Sequence, residues 1–272
     1  MQISLAGWSL NRRFRRREDP LKLTAFPRLA VEEFGIRMVE LNSPFFVYEK
    51  PDSPATSPVP RGYLRDLKKA ADDAGCTVLG IAVDGHGDLA ALDPAERAKA
   101  VENHRKWYDI CAALGSRCFR ANSGGREQAD NPEAIKACTD SFAQLAKLAQ
   151  SHKLVVLMEN HWGISQNPDV MLRIVQAVNS PSFRLLADFL NWPPGVDKLA
   201  ALQKIAPYAY ATHAKFLSFN PQGEANEIDA RRGVQIFQQA RYANPFGIEY
   251  EGKEDDHEGV AKSKALLERY AY

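Results

Sequence analysis

The sequence has no apolar run approaching the roughly eighteen residues of a membrane span, and its mean hydropathy is −0.37. A transmembrane protein is excluded. Cysteine is scarce: Cys76, Cys111, Cys118 and Cys138 form no C-x-x-C pair and have no histidines at zinc-finger spacing. A disulfide framework and a thiolate zinc site are excluded, and the thiols are expected to be reduced and structural. Net charge is nearly absent, with 35 basic and 34 acidic residues giving +1. Such a balance provides no global field for a polyanion, so neither nucleic acid nor a membrane surface is an expected partner. The local exception is Arg12-Arg13-Phe14-Arg15-Arg16-Arg17, an aromatic within arginines that suits phosphate but reads first as a solvated loop. Met1-Gln2-Ile3-Ser4-Leu5-Ala6-Gly7-Trp8 lacks the charged segment and long apolar stretch of a secretory signal. It reads as a first strand, and a cytoplasmic location is expected.

What the 272 residues do contain is alternation. Short β-rich apolar stretches at Ile3–Trp8, Met38–Asn42, Thr77–Val83, Arg117–Ala121, Leu154–Glu159, Arg184–Phe189, Ala209–Ala214 and Phe246–Tyr250 read as eight strands. Between them, helical spacing runs over Leu64–Ala74, Pro94–Leu114, Asn131–Ser151, Pro168–Val178, Asp197–Ile205, Ile228–Ala240 and Asp256–Tyr270. Asp93-Pro94 and Asn131-Pro132 supply an N-cap followed by a first-turn proline. Gly75 and Gly115 close their helices. Eight such units in this length predict one α/β domain over residues 1–272, a single (β/α)₈ TIM barrel. The rival, a doubly wound open sheet, lacks its glycine fingerprint after the first strand. The Pro- and Ser-rich stretch Pro51–Pro60 reads as a long loop after the second strand, a position from which loops cover active sites.

Four apolar strands end on residues that ligate metals: Glu159 in LVVLMEN, Asp188 in FRLLADF, His213 in YAYATHAKF and Glu249 in PFGIEYEG. They fall about one βα unit apart, on strands five to eight. A barrel builds its active site at strand C-termini, so these side chains are expected to converge. Three carboxylates and one imidazole form a hard, anionic donor set for one divalent ion, Mn²⁺ or Mg²⁺ first, with Co²⁺ or Zn²⁺ also compatible. Singly, each residue would read as a helix cap, an ion-pair partner or a bonded core histidine.

From ISLAGWSL through VELNSPFF, TVLGIAVDGHGD and MENHWG to GIEYEG, the chain resembles the xylose isomerase-like barrel superfamily, in particular its sugar phosphate isomerase/epimerase branch. The resemblance implies that Glu159, Asp188, His213 and Glu249 hold one divalent metal. It also implies that Glu159 and Glu249 double as the acid and base that move a substrate proton, through an enediolate stabilised by the metal. Strand alternation places His161 on the face of Glu159 and Lys215 on the face of His213, within expected reach of substrate oxygens. His86 and Asn122 at other strand ends are expected to line the cleft, and Asn160 and His161 to bind hydroxyls. Trp8 and Trp162 offer apolar walls to a sugar face. Gly124-Gly125 offers a backbone cradle for phosphate. The chain departs from the family's Asp-x-x-His at the sixth strand with Asp188-Phe189-Leu190-Asn191. Asn191 can bind a hydroxyl but cannot carry a proton. Residues 214–248 contain no histidine, which removes the three-zinc nuclease of related proteins.

The function implied is a metal-dependent isomerase or epimerase of a free or phosphorylated ketose, with a small carbohydrate as its partner. Two other expectations stand beside it. One is a lyase or dehydratase acting on a keto-sugar, keto-inositol or 3-keto-glycoside; the other is a carbohydrate-binding barrel without catalysis. The sequence leaves homo-oligomerisation open.

Overall fold

The computed structural model describes residues 1–125 and 130–270. Eight parallel strands close into one barrel in chain order: β1 Ile3–Ala6, β2 Met38–Asn42, β3 Thr77–Val83, β4 Cys118–Ala121, β5 Val155–Glu159, β6 Phe183–Asp188, β7 Ala209–Phe216 and β8 Phe246–Tyr250. β8 closes onto β1 through Ile3↔Phe246, Ser4↔Gly247 and Leu5↔Ile248. The expected (β/α)₈ barrel is therefore the fold. Around it lie α1 Asn11–Phe14, α2 Phe26–Phe34, α3 Arg61–Asp73, α4 Pro94–His104, α5 Lys106–Leu114, α6 Pro132–Ser151, α7 Pro168–Val178, α8 Lys198–Ile205, α9 Ala230–Gln239 and α10 Asp256–Arg269. Among the described residues no helix is long and apolar enough to cross a membrane.

Local chemistry explains where these helices begin. The side chains of Asp93, Asn131, Asn167, Asp197, Asp229 and Asp255 accept from first-turn amides, satisfying donors that have no partner within the helix. Between helices and barrel, fully buried aromatics fill the outer layer, including the stacked pair Phe142 and Phe183 with centroids 4.7 Å apart. All four cysteines are buried free thiols.

Three expectations about elements need correction. The first strand ends at Ala6, because Gly7–Leu10 forms a 3-10 turn. That turn lets Ser9 donate its hydroxyl to the Ile248 carbonyl and accept from the Tyr250 amide, continuing the β1–β8 seam through a side chain. The expected helix Pro94–Leu114 divides at Arg105, whose amide bonds Glu102 three residues back instead of four, although its dihedrals stay helical at φ −59° and ψ −40°. The loop at Pro51–Pro60 does not line the central cleft. Lys106 draws it toward α5 by donating to the carbonyls of Pro54 and Ser57, with its ammonium 4.9 Å from the Tyr48 ring.

The barrel interior is not filled to its lower end. A cavity of about 290 Å³ opens among the N-terminal ends of the strands, is lined by Ser4, Ala6, Gly80, Ala211 and Gly247, and reaches Glu40 and His213 from below. Small residues leave this space.

Candidate active site

The C-terminal ends of β5 to β8 bring Glu159, Asp188, His213 and Glu249 together. One ligand atom from each lies within 4.8 Å of every other, and all four residues are buried. Register explains the meeting: Asp188 pairs with His213, while Lys215, one step above His213 on the same face, pairs with Glu249. His213 Nδ1 stands 3.0 Å from Glu159 Oε1, 3.4 Å from Glu249 Oε2 and 3.8 Å from Asp188 Oδ2. Glu159 Oε2, Asp188 Oδ2 and Glu249 Oε2 are buried and accept no well-aligned hydrogen bond among the described residues; besides His213, the three buried carboxylates share only the ion pairs to Arg120 and Lys215. Buried anionic oxygens left in this state are costly unless a cation completes them. The donor set therefore fits one hard divalent ion.

Each ligand is positioned by an identifiable partner. Asn160 is fully buried and turned away from the cleft. Its amide donates to the Asp188 carbonyl at 2.9 Å and accepts from the Asp188 amide at 2.8 Å, fixing the end of β6. The expectation that Asn160 binds a hydroxyl is thus corrected, because both ends of its side chain are engaged. Asp188 Oδ1 accepts from the amides of Leu190 and Asn191, leaving Oδ2 for the cluster. His213 Nε2 bonds Glu40 Oε1 at 2.9 Å, which orients the ring and turns Nδ1 to the ligand side. Arg120 lies behind Glu159, with Nε 2.9 Å from Glu159 Oε2 and Nη1 2.7 Å from Asp84 Oδ1.

Electrostatics follow from burial and packing. For Glu159 burial would raise the pKa, but Arg120 and His213 hold it well below the usual carboxylate range. Burial, with Glu249 and Glu159 nearby, pushes Asp188 up to about 7 despite Lys215. Burial alone would discharge His213, yet Glu249, Glu40 and Glu159 raise it well above the ordinary imidazole value. Lys215 Nζ sits 2.9 Å from Glu249, 3.3 Å from Asp188 and 3.4 Å from Glu251, and donates to Asn191 Oδ1 at 2.9 Å. Its ammonium partly neutralises the carboxylates.

Above the cluster opens a cleft of about 390 Å³, lined by Trp8, His161, Trp162, Asn191 and Lys215 among others. Asn191 also donates to Glu159 Oε1 at 3.4 Å, so its side chain enters the site instead of only capping the loop. Asn122 supports the wall from behind, donating to Asp84 Oδ1 and bonding His161 Nδ1 at 3.1 Å. His86 is not in this cleft. It borders a separate cavity of about 270 Å³ with Asn122, Gly124 and Trp162, and its ring contacts Trp107 and His104. Burial lowers its pKa to about 3, so it is neutral, with Nδ1 bonded to the Asp84 carbonyl. The phosphate cradle at Gly124-Gly125 is also corrected. The Gly125 amide already bonds both carboxylate oxygens of Asp88, whose charge would repel phosphate.

Sequence reading missed Glu40, Arg120 and Asp84. The available signal was a charged residue inside an apolar strand for the first two, MVELN and CFRA. The arginine run is not uniformly solvated either. Arg12 bonds the carbonyls of Lys253 and Glu254, Arg13 pairs with Glu33 and Asp256, and Arg15 reaches the cleft.

Fold and site together define a single-domain (β/α)₈ barrel with a candidate divalent-metal centre at its C-terminal rim. The chain belongs to the xylose isomerase-like TIM barrel family, whose model matches residues 29–270. Among curated proteins none is significantly similar in sequence. Solved structures of the same fold include an L-ribulose 3-epimerase, at TM-score 0.77 and 16% identity over 99% of this chain and 94% of that one. The 3-keto-D-glucoside 4-epimerase YcjR from E. coli matches at TM-score 0.74 and 14% identity over 99% of both chains. A xylose isomerase-like TIM barrel protein from Mycobacterium smegmatis in complex with magnesium matches at 0.73 and 15%, over 98% of this chain and 95% of that one.

Proposed function

We propose that this protein is a divalent-metal-dependent isomerase or epimerase of a ketose or closely related keto-sugar, with Glu159 and Glu249 as its proton-transfer groups. The observation that carries the reading is the pair of buried glutamates that meets Asp188 and His213 in one cluster under a cleft of sugar size. Glu159, Asp188, His213 and Glu249 would hold the ion, Mn²⁺ or Mg²⁺ by their chemistry, with Co²⁺ or Zn²⁺ also accommodated. When bound, such an ion supplies Lewis-acid stabilisation of negative charge on a carbonyl oxygen. The protein groups do the rest. One glutamate takes the proton α to the carbonyl and the other returns one, to the same carbon or its neighbour. Arg120 keeps Glu159 ionised, and Trp8 and Trp162 exclude water from the sugar's apolar face.

The test is proton NMR of a ketose panel in deuterated water with Mg²⁺. The expected result is loss of an α-proton signal that stops with EDTA and returns with added metal, the product keeping the substrate's skeleton. A product lighter by water or an aglycone would replace this reading with the lyase. Sugar binding indifferent to EDTA, with no exchange, would replace it with a binding barrel.

Asn191 lies between Lys215 and Glu159, so it is placed to orient a substrate hydroxyl. Asn191→Ala is expected to lower kcat/KM by about tenfold to a hundredfold, the cost of an unpaired hydroxyl, with metal affinity unchanged. Equal kcat/KM for every sugar would reduce Asn191 to a loop residue.

A further inference from the structure

Three arginine or lysine side chains line the cleft, and two of them are already neutralised. Arg120 pairs with Asp84 and Glu159, and Lys215 with Asp188, Glu249 and Glu251. Arg15 is different: it has no carboxylate within 4.0 Å among the described residues, although Arg12 and Arg13 of the same run are both engaged. Its guanidinium rests 4.7 Å from the centroid of Trp8 and 5.9 Å from that of Phe45. Phe45 is stacked on Trp8 at 5.8 Å and on Phe14 at 4.2 Å, so three rings form a fixed platform under the cation. Cation–π contact holds a guanidinium while leaving its N–H edge open.

Behind the adjoining part of this wall lies a buried amide. Asn42, at the end of β2, is 1% exposed, and its Oδ1 is buried without a partner. A Cβ at Gly7 would come within 2.8 Å of that oxygen, so glycine before Trp8 is what gives the Asn42 amide its room.

Resting on the sugar isomerase or epimerase reading, we propose that Arg15 anchors an anionic group of the substrate, a phosphate monoester or a carboxylate. Arg15 would then be the residue that selects acidic sugars over neutral ones. A fixed guanidinium at the β1–β2 wall also sets which end of the sugar faces Glu159 and Glu249. An exposed fork-shaped donor meeting an oxyanion through paired hydrogen bonds suits either acidic group.

Calorimetric titration of the protein with Mg²⁺ decides this, using D-fructose, D-fructose 6-phosphate and D-fructuronate as probes. At least one acidic ketose should bind about tenfold or more tightly than D-fructose, and which one does so names the group. Arg15→Ala should erase that ratio and leave D-fructose affinity within about twofold; Arg15→Lys, keeping charge without the fork, should retain part of it. Equal affinities, no binding of either acidic sugar, or a preference that survives Arg15→Ala would overturn the proposal. Because binding is read without turnover, the two ideas fail separately. An Arg15-dependent preference without α-proton exchange removes the isomerase reading alone, and exchange without the preference removes the anchor alone.

Discussion

Glu249→Gln is expected to lower kcat/KM by about a thousandfold or more while the protein stays folded. The substitution keeps the shape of the side chain and removes its charge and basicity. General acid–base transfer contributes about 10²- to 10⁴-fold, and this residue also belongs to the cluster that would hold the metal. Its environment leaves little room for a substitute base, since Glu249 Oε2 is buried at the centre of the site with Lys215 2.9 Å away and His213 Nδ1 3.4 Å away. Circular dichroism and a melting curve establish the fold, and NMR exchange with the active sugar gives the rate. Turnover within about tenfold of the parent, in a folded variant, would remove Glu249 from both roles.

The largest effect on stability is expected at Arg120. Replacing it with methionine leaves Glu159 and Asp84 without their shared cation, and removing one partner of a buried pair costs about 3–5 kcal/mol. The pH dependence separates charge from packing. In the parent, Arg120 first among the charges offsets burial and holds the folded-state pKa of Glu159 below its unfolded value of about 4.3. The stability from this shift is present above the unfolded pKa and is lost as pH falls through the folded one. In the variant Glu159 keeps His213 but loses Arg120, so this contribution shrinks. The difference between the proteins should therefore be constant from pH 7 down to about pH 5 and narrow as pH falls below about 4. Urea unfolding across that range measures it, and a difference that stays constant throughout would assign Arg120 a packing role only.

The sequence was informative wherever a property repeats or lies within one element. Alternating strands and helices gave the barrel, and caps such as Asn131 and Asn167 marked helix starts to within a residue. The ligand quartet was legible because each member ends an apolar strand, a position the barrel turns into a rim. What stayed hidden depends on pairing across the barrel. Nothing near residue 40 announces that Glu40 meets His213, a partner 173 positions away, or that Arg120 would lie behind Glu159. Asn160 shows the converse error. Standing next to Glu159, it looked like a group of the site, but alternation turns it outward, where it bonds the backbone of β6. The arginine run misled for another reason, since neighbours of one charge took three different environments on a short helix and the turn after it.

The hollow beneath His213 gives this site two open sides. Barrel interiors are ordinarily stacked with layers of side chains; here a cavity of about 290 Å³ reaches Glu40 from the N-terminal end. The imidazole and its carboxylate partner form a floor between the upper cleft and the lower hollow. Growing a side chain into the hollow, Ala211→Leu for example, would bury apolar area and strip water from that floor at once. These effects oppose each other, and the sign of the change in melting temperature tells which is larger.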